Sequence, residues 1–89
     1  MEMQLDKFLV EIIFPGMGRN YDFWIPKEMQ IQKVIEEVVT EIVQFEKSTV
    51  PSQNMEGMML CSKRTGEILC TQTTVLEAGV RSGDTLVLL

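Results

Sequence analysis

The feature that most constrains the fold is a change in the spacing of apolar residues near position 30. Before it, apolar residues follow the two-residue period of strands, and after it they recur every three to four residues, as in a helix. The helical stripe has seven members: Ile31, Val34, Ile35, Val38, Val39, Ile42 and Val43. Because valine and isoleucine are poor helix formers, this helix needs a packing partner. We predict a helix from about Gln30 to Glu46 that packs its stripe against a sheet.

Two extended runs precede the helix. Residues 8–14 are rich in β-branched and aromatic side chains, and residues 21–25 form a second such run that Pro26 ends. The residues between them, 15–20, include Pro, Gly and Asn, which supply the fixed or positive φ angles of a turn. The two runs therefore predict an antiparallel hairpin.

The segment after the helix predicts a loop and a second strand pair. Residues 47–57 are polar and contain Pro and Gly, which is typical of a loop. Residues 58–62 are then expected to form a strand, 63–66 a turn and 67–70 a short return strand.

The last elements are a helical turn and a strongly apolar strand. Thr74 with Glu77 three residues later has the spacing of a capping box, so residues 73–80 predict one turn of helix. Residues 84–89 predict a strand that needs neighbours on both edges. The order is strand, strand, helix, strand, strand, helical turn, strand. We expect an α+β fold, with a mixed sheet of four to five strands and one main helix across one face.

The length and charge of the chain limit its function. Its 89 residues suit one small domain, which we place at 8–89 behind a loose lead-in at 1–7. With 13 acidic against 8 basic residues and a net charge of -5, the chain lacks the positive charge that nucleic acids and anionic membranes attract. Since it also lacks a spanning apolar segment and the residue order of a signal peptide, we expect no membrane insertion and a cytoplasmic location.

The side chains needed for common enzyme chemistry are missing or badly placed. The chain has no histidine, so it cannot build a Ser-His or Cys-His nucleophile pair. Cys61 and Cys70 have neither metal-knuckle nor redox-motif spacing, and we expect them to behave as small thiols in a reducing compartment. The carboxylates of Glu36, Glu37 and Glu41 lie opposite the apolar stripe and are expected to face solvent. We expect no enzyme activity, no metal and no cofactor.

Taken together, these elements resemble a ubiquitin-like β-grasp roll over nearly the whole chain. Within that superfamily, the segments YDFWIP (residues 21–26) and LEAGVRSGDTL (residues 76–86) are most similar to the YukD/EsaB family of bacterial type VII secretion systems. This resemblance implies a non-enzymatic adaptor or accessory protein. The implied partners are cytosolic parts of the membrane or ATPase components of that machinery.

Two other functions remain open for this fold. One is a generic ubiquitin-like regulatory domain outside secretion. The other is a conjugated modifier or sulfur-carrier protein, which acts through a flexible C-terminal Gly-Gly. Residues 85–89 are bulky and contain no glycine, so we expect neither conjugation nor sulfur transfer unless the native chain continues past Leu89 to a Gly-Gly.

Strand alternation predicts an apolar surface on the face of the sheet away from the helix. If Glu11 faces solvent, Leu9 and Ile13 face outward with it. The same alternation turns Trp24 and Val87 outward on their strands. Because the first and last strands are neighbours in a β-grasp sheet, we expect Trp24, Leu9, Ile13 and Val87 to form one protein-binding patch.

Overall fold

The chain folds as a mixed sheet with a helix across one face. The computed structural model describes residues 6–46 and 57–89. Within them the elements are β1 (Lys7–Phe14), β2 (Arg19–Pro26), α1 (Ile31–Glu46), β3 (Leu60–Ser62) and β4 (Thr85–Leu88). The sheet order is β2-β1-β4-β3, with β1 antiparallel to β2 and parallel to β4, and β3 antiparallel to β4. The predicted α+β class and the position of the last strand inside the sheet are confirmed.

The β1–β2 hairpin is longer than its sequence suggested. Its turn takes only residues 15–18, where the amides of Met17 and Gly18 donate to the carbonyls of Phe14 and Pro15, both at 3.0 Å. Gly18 has a φ of 66°, which reverses the chain early and leaves the next two residues free to join β2. At the opposite end β1 begins at Lys7.

The apolar stripe of α1 forms the centre of the core. Six of its seven predicted members are buried, and Val43 is half-buried. The first amides of the helix, which lack acceptors within it, donate to another segment: Ile31 to the carbonyl of Thr73 at 2.9 Å and Gln32 to that of Thr71 at 3.1 Å. The helix is therefore held both by its apolar face and at its N-terminus.

The second half of the chain departs from prediction in three elements. One of them is the helical turn expected at 73–80: these residues form hydrogen-bonded turns and not a helix. β3 is shorter than predicted, and residues 67–70 form an isolated bridge between Ile68 and Cys61 rather than a return strand. After Leu69 donates to the carbonyl of Leu60 at 2.8 Å, the chain leaves the sheet toward the start of α1. Its carbonyl groups are needed there as acceptors for the helix amides, so the strand pairing cannot continue.

The predicted capping box is confirmed. The amide of Thr74 donates to Glu77 Oε1 at 3.0 Å, and the amide of Glu77 donates to Thr74 Oγ1 at 3.1 Å. The side chain of each residue thus accepts a hydrogen bond from the backbone amide of the other. The predicted lead-in at 1–7 and the predicted loop at 47–57 lie mostly outside the described residues.

A buried carboxylate fixes the approach to β4. Asp84 is 8% exposed and accepts from Arg64 Nε and Nη2 at 3.1 Å each, and from the amide of Arg81 at 3.0 Å. Arg64 Nη2 also donates to the carbonyl of Gly79 at 2.9 Å. The hydrogen bonds from Arg64 lower the pKa of Asp84 below its ordinary value of 3.8, against the opposing effect of burial.

This arrangement predicts a loss of stability in acid. Because the folded-state pKa of Asp84 is lower than the unfolded one, its contribution is fully present above pH 3.8 and is lost as the pH falls through the folded value. Asp84→Asn should cost about 1.5 kcal/mol at pH 7, the low end for charged hydrogen bonds, because the Arg64 side chain is 39% exposed. Denaturant unfolding from pH 7 to pH 2.5 should show a smaller acid-induced loss in the variant. Equal losses in both proteins would remove Asp84 as the cause.

Candidate functional site

The face of the sheet opposite α1 carries the candidate residues. Val10 and Ile12 are buried under the helix, so Leu9 and Ile13 point away from it. Trp24 lies directly opposite Leu9 in the β1–β2 register. Trp24 is 49% exposed and Leu9 is 37% exposed. The predicted outward orientation of these two residues is confirmed.

Leu9 and Trp24, called here the Trp24–Leu9 pair, are close neighbours on adjacent strands. The amide of Lys27 donates to the carbonyl of Asp6 at 2.9 Å, which shows which residue pairs of this ladder are hydrogen-bonded. By alternation, Leu9 and Trp24 form a non-hydrogen-bonded pair, with Cα atoms about 4.5 Å apart and side chains close together. Consistently, the backbone of Leu9 bonds to Ser82 and Gly83 on the β4 side.

A second outward-facing group crosses the rest of the sheet. Ile13 is the register partner of Val87 on β4, and Val87 is the partner of Cys61 on β3. Cys61 in turn is bridged to Ile68, which is 61% exposed. Ile13 and Val87 themselves are half-buried. These four residues, Ile13, Val87, Cys61 and Ile68, are called here the apolar strip.

A polar row separates the Trp24–Leu9 pair from the apolar strip. Glu11 is the register partner of both Asp22 and Thr85. Its carboxylate accepts from Asn20 Nδ2 at 3.1 Å and from Thr85 Oγ1 at 3.2 Å. The single patch expected from Trp24, Leu9, Ile13 and Val87 is therefore divided into two apolar areas, because Glu11 lies between them.

The sequence interpretation missed two members of this face and one residue outside it. Cys61 lies between buried Leu60 and Ser62, so alternation alone would have turned it outward. Ile68 follows a turn rather than a regular strand, and no period indicates its direction. Phe45, in the last turn of α1, is 74% exposed and lies beside β2.

The described residues show no site for metal chemistry. Within 6–46 and 57–89, no three histidine, cysteine or carboxylate side chains come together as metal ligands. Cys61 and Cys70 are free thiols, half-buried and exposed respectively. In the same parts of the chain, no helix has the length and apolarity that crossing a bilayer requires.

The architecture matches solved structures of ubiquitin-like domains. The ubiquitin-like domain of an Arabidopsis thaliana protein superposes with a TM-score of 0.70 at 16% identity, covering 99% of this chain and 81% of that one. Ubiquitin from Caldiarchaeum subterraneum matches with a TM-score of 0.64 at 20% identity, covering 92% and 90%. This chain has the ubiquitin-like β-grasp fold.

This chain is also similar in structure to a chain of the toluene 4-monooxygenase HD complex with the inhibitor 4-bromobenzoate. That match has a TM-score of 0.74 at 17% identity and covers 92% of this chain and 95% of the other. No protein-family model and no curated protein matches this ubiquitin-like chain in sequence. At such identities the structural likenesses establish the fold alone.

Proposed function

We propose that this ubiquitin-like chain is a non-enzymatic adaptor that binds a protein partner through the outer face of its sheet. The observation that carries the proposal is the Trp24–Leu9 pair, in which Trp24 is 49% exposed beside Leu9. Tryptophan is among the residues most enriched at the centres of protein interfaces. Glu11 and Asp22 supply polar groups next to the pair, as at the rim of an interface.

We also propose that the adaptor serves a bacterial type VII secretion system in the cytoplasm. Support comes from the resemblance of residues 21–26 and 76–86 to the YukD/EsaB family. The first of these segments lies in β2 and contains Trp24, and the second leads into β4. The proposed partners are cytosolic parts of the membrane or ATPase components.

The generic regulatory domain remains the alternative with the same fold. For the modifier or sulfur-carrier alternative, the backbone at Leu89 matters. Its amide and carbonyl are both hydrogen-bonded to Met59, at 2.9 Å each, so the chain at position 89 is fixed to the residue that precedes β3. A Gly-Gly that follows this position in the genomic reading frame would support a carrier.

Trp24 is the sole tryptophan of the chain, so its fluorescence tests the proposal directly. In the free protein, acrylamide should quench this fluorescence readily, because half of the side chain is exposed. Cytosolic domains of the secretion components encoded near the gene should then protect it. A Trp24 that resists quenching in the free protein, or one that no such domain protects, would contradict the adaptor proposal.

A further inference from the structure

A groove runs along the sheet edge between β2 and α1. Its wider part has a volume of about 650 Å³ and lies toward the C-terminal end of the helix, and a smaller part of about 150 Å³ continues toward the other end. Phe23, Trp24 and Glu41 line both parts. Ile42 and Phe45 add apolar surface to the wider part, which is large enough to receive side chains of a ligand.

The groove lies beside backbone groups that the sheet does not use. β2 is one of the two edge strands of the described sheet and pairs with β1 alone. The Asp6–Lys27 hydrogen bond and the register place the ladder bonds of β2 at its odd-numbered residues, such as Phe23. The amide and carbonyl groups of Asn20, Asp22 and Trp24 consequently point away from β1. Within residues 6–46 and 57–89 no other strand pairs with these three positions, and a peptide strand can add there.

The charges around the groove favour a basic occupant. Two of its carboxylates are already engaged: Glu46 lies 3.7 Å from Arg19 Nε and accepts from Tyr21 Oη at 2.8 Å, and Glu37 lies 3.5 Å from Lys33. Burial and the hydrogen bond to Glu46 raise the pKa of Tyr21, whose hydroxyl donates that hydrogen bond.

The other two carboxylates of the groove, on Asp22 and Glu41, belong to exposed residues. Asp22 lies on β2 with its side chain toward the outer face of the sheet, and Glu41 lies on α1, on the other side of the β2 edge. A strand added at this edge passes between two negative charges.

We propose that this groove binds an extended peptide with lysine or arginine on both sides of a short apolar segment, added to β2 as a fifth strand. The peptide backbone pairs with Asn20, Asp22 and Trp24, as in other cases of strand addition at a sheet edge. Its alternate apolar side chains enter the cavity beside Phe23 and Phe45. Its basic flanks lie near Asp22 and Glu41.

A second copy of the chain is a poorer occupant. Pairing two β2 edges antiparallel about their middle places Asp22 opposite its own counterpart, and like charges directly opposite each other destabilise a strand pair. Charged edge residues such as Arg19 and Asp22 are a common protection against such association. The groove thus disfavours self-pairing while remaining open to a basic strand.

Two synthetic peptides test the proposal: Lys-Lys-Val-Ile-Val-Thr-Lys-Lys and its counterpart with four glutamates in place of the lysines. Titration followed by amide NMR should shift the signals of Asn20, Asp22 and Trp24, and the basic peptide should bind about tenfold or more tightly than the acidic one. Methylating the peptide amides that face β2 should abolish binding, because they are the donors to the edge.

Matched charge reversals locate the site. Glu41→Lys should weaken binding of the basic peptide about tenfold, whereas Glu67→Lys, with the same change in net charge on the far side of the sheet, should alter it by less than about twofold. Glu41→Lys should leave unchanged the binding of a partner through the outer face of the sheet, because Glu41 lies on α1, on the opposite side of the sheet. The two binding modes therefore fail separately.

Three results would overturn the groove proposal. The first is equal affinity for both peptides, or none for either at millimolar concentration. The second is a set of peptide-induced changes in amide chemical shift that is confined to β3 and β4. The third is a concentration-dependent dimer that buries the β2 edge in sedimentation experiments, which would assign the groove to a second copy.

Discussion

Truncation of Ile35 to alanine is expected to lower the free energy of unfolding by about 2–4 kcal/mol, the usual range for a buried large-to-small change. Ile35 is fully buried at the centre of the helical stripe and faces the sheet. The variant loses the transfer free energy of the removed atoms and leaves a cavity that neighbouring β-branched side chains fill poorly. For a domain of this size, that is a large share of the total stability.

Glu37→Ala is the matched control on the same helix. The Glu37 side chain is 51% exposed and its contact with Lys33, at 3.5 Å, is a surface pair. Such a pair contributes little, so the variant should lose less than about 0.5 kcal/mol. Urea unfolding of both variants with a common slope measures the difference. Comparable losses of unfolding free energy in the two variants would show that the buried and exposed faces of α1 are wrongly assigned.

Trp24→Ala is expected to weaken binding of the partner by about 2 kcal/mol or more, a roughly 30-fold rise in Kd. The side chain is half-exposed in the free protein and lies beside Leu9 rather than under α1. Its removal deletes a large amphipathic contact surface without opening the core. The fold should therefore be nearly unchanged, as judged by far-ultraviolet circular dichroism and by thermal unfolding.

Leu76→Ala is the control for an exposed apolar side chain elsewhere. Leu76 is 54% exposed in the turn before β4, and its amide bonds to the carbonyl of Lys27 through the backbone, which the substitution retains. Binding of the partner should be unaffected. A Trp24 variant that unfolds would place the residue in the core. A folded variant with unchanged affinity would show that the Trp24–Leu9 pair is not part of the interface.

The sequence was most informative where one face of an element is wholly buried. The stripe from Ile31 to Ile42 shows both the helix and its buried side, because each member needs the same neighbour. The reciprocal hydrogen bonds of Thr74 and Glu77 depend on only four consecutive residues, and they too were predictable. In both cases the deciding interactions are local or repeated.

Long-range register explains what the sequence could not show. Alternation turns Leu9, Trp24, Ile13 and Val87 outward, but only the strand pairing reveals that Glu11 lies between the two apolar areas. Phe45 has the period of the stripe, three residues after Ile42 and seven after Val38, yet it is 74% exposed at the end of α1. Its position beside β2 depends on how the helix crosses the sheet, which no local pattern encodes.

The central position of β4 affects how the protein is made. The Glu11–Thr85 pairing joins residues 74 positions apart, and β3 pairs with β4 alone. Closing such a loop costs conformational entropy before any contact offsets it, and distant contacts slow folding. A nascent chain that has exposed only the hairpin and helix has an unfinished sheet, with the β4-facing side of β1 unpaired. On the ribosome, the domain must wait for residues 85–88 to emerge, and chaperones have that interval in which to bind.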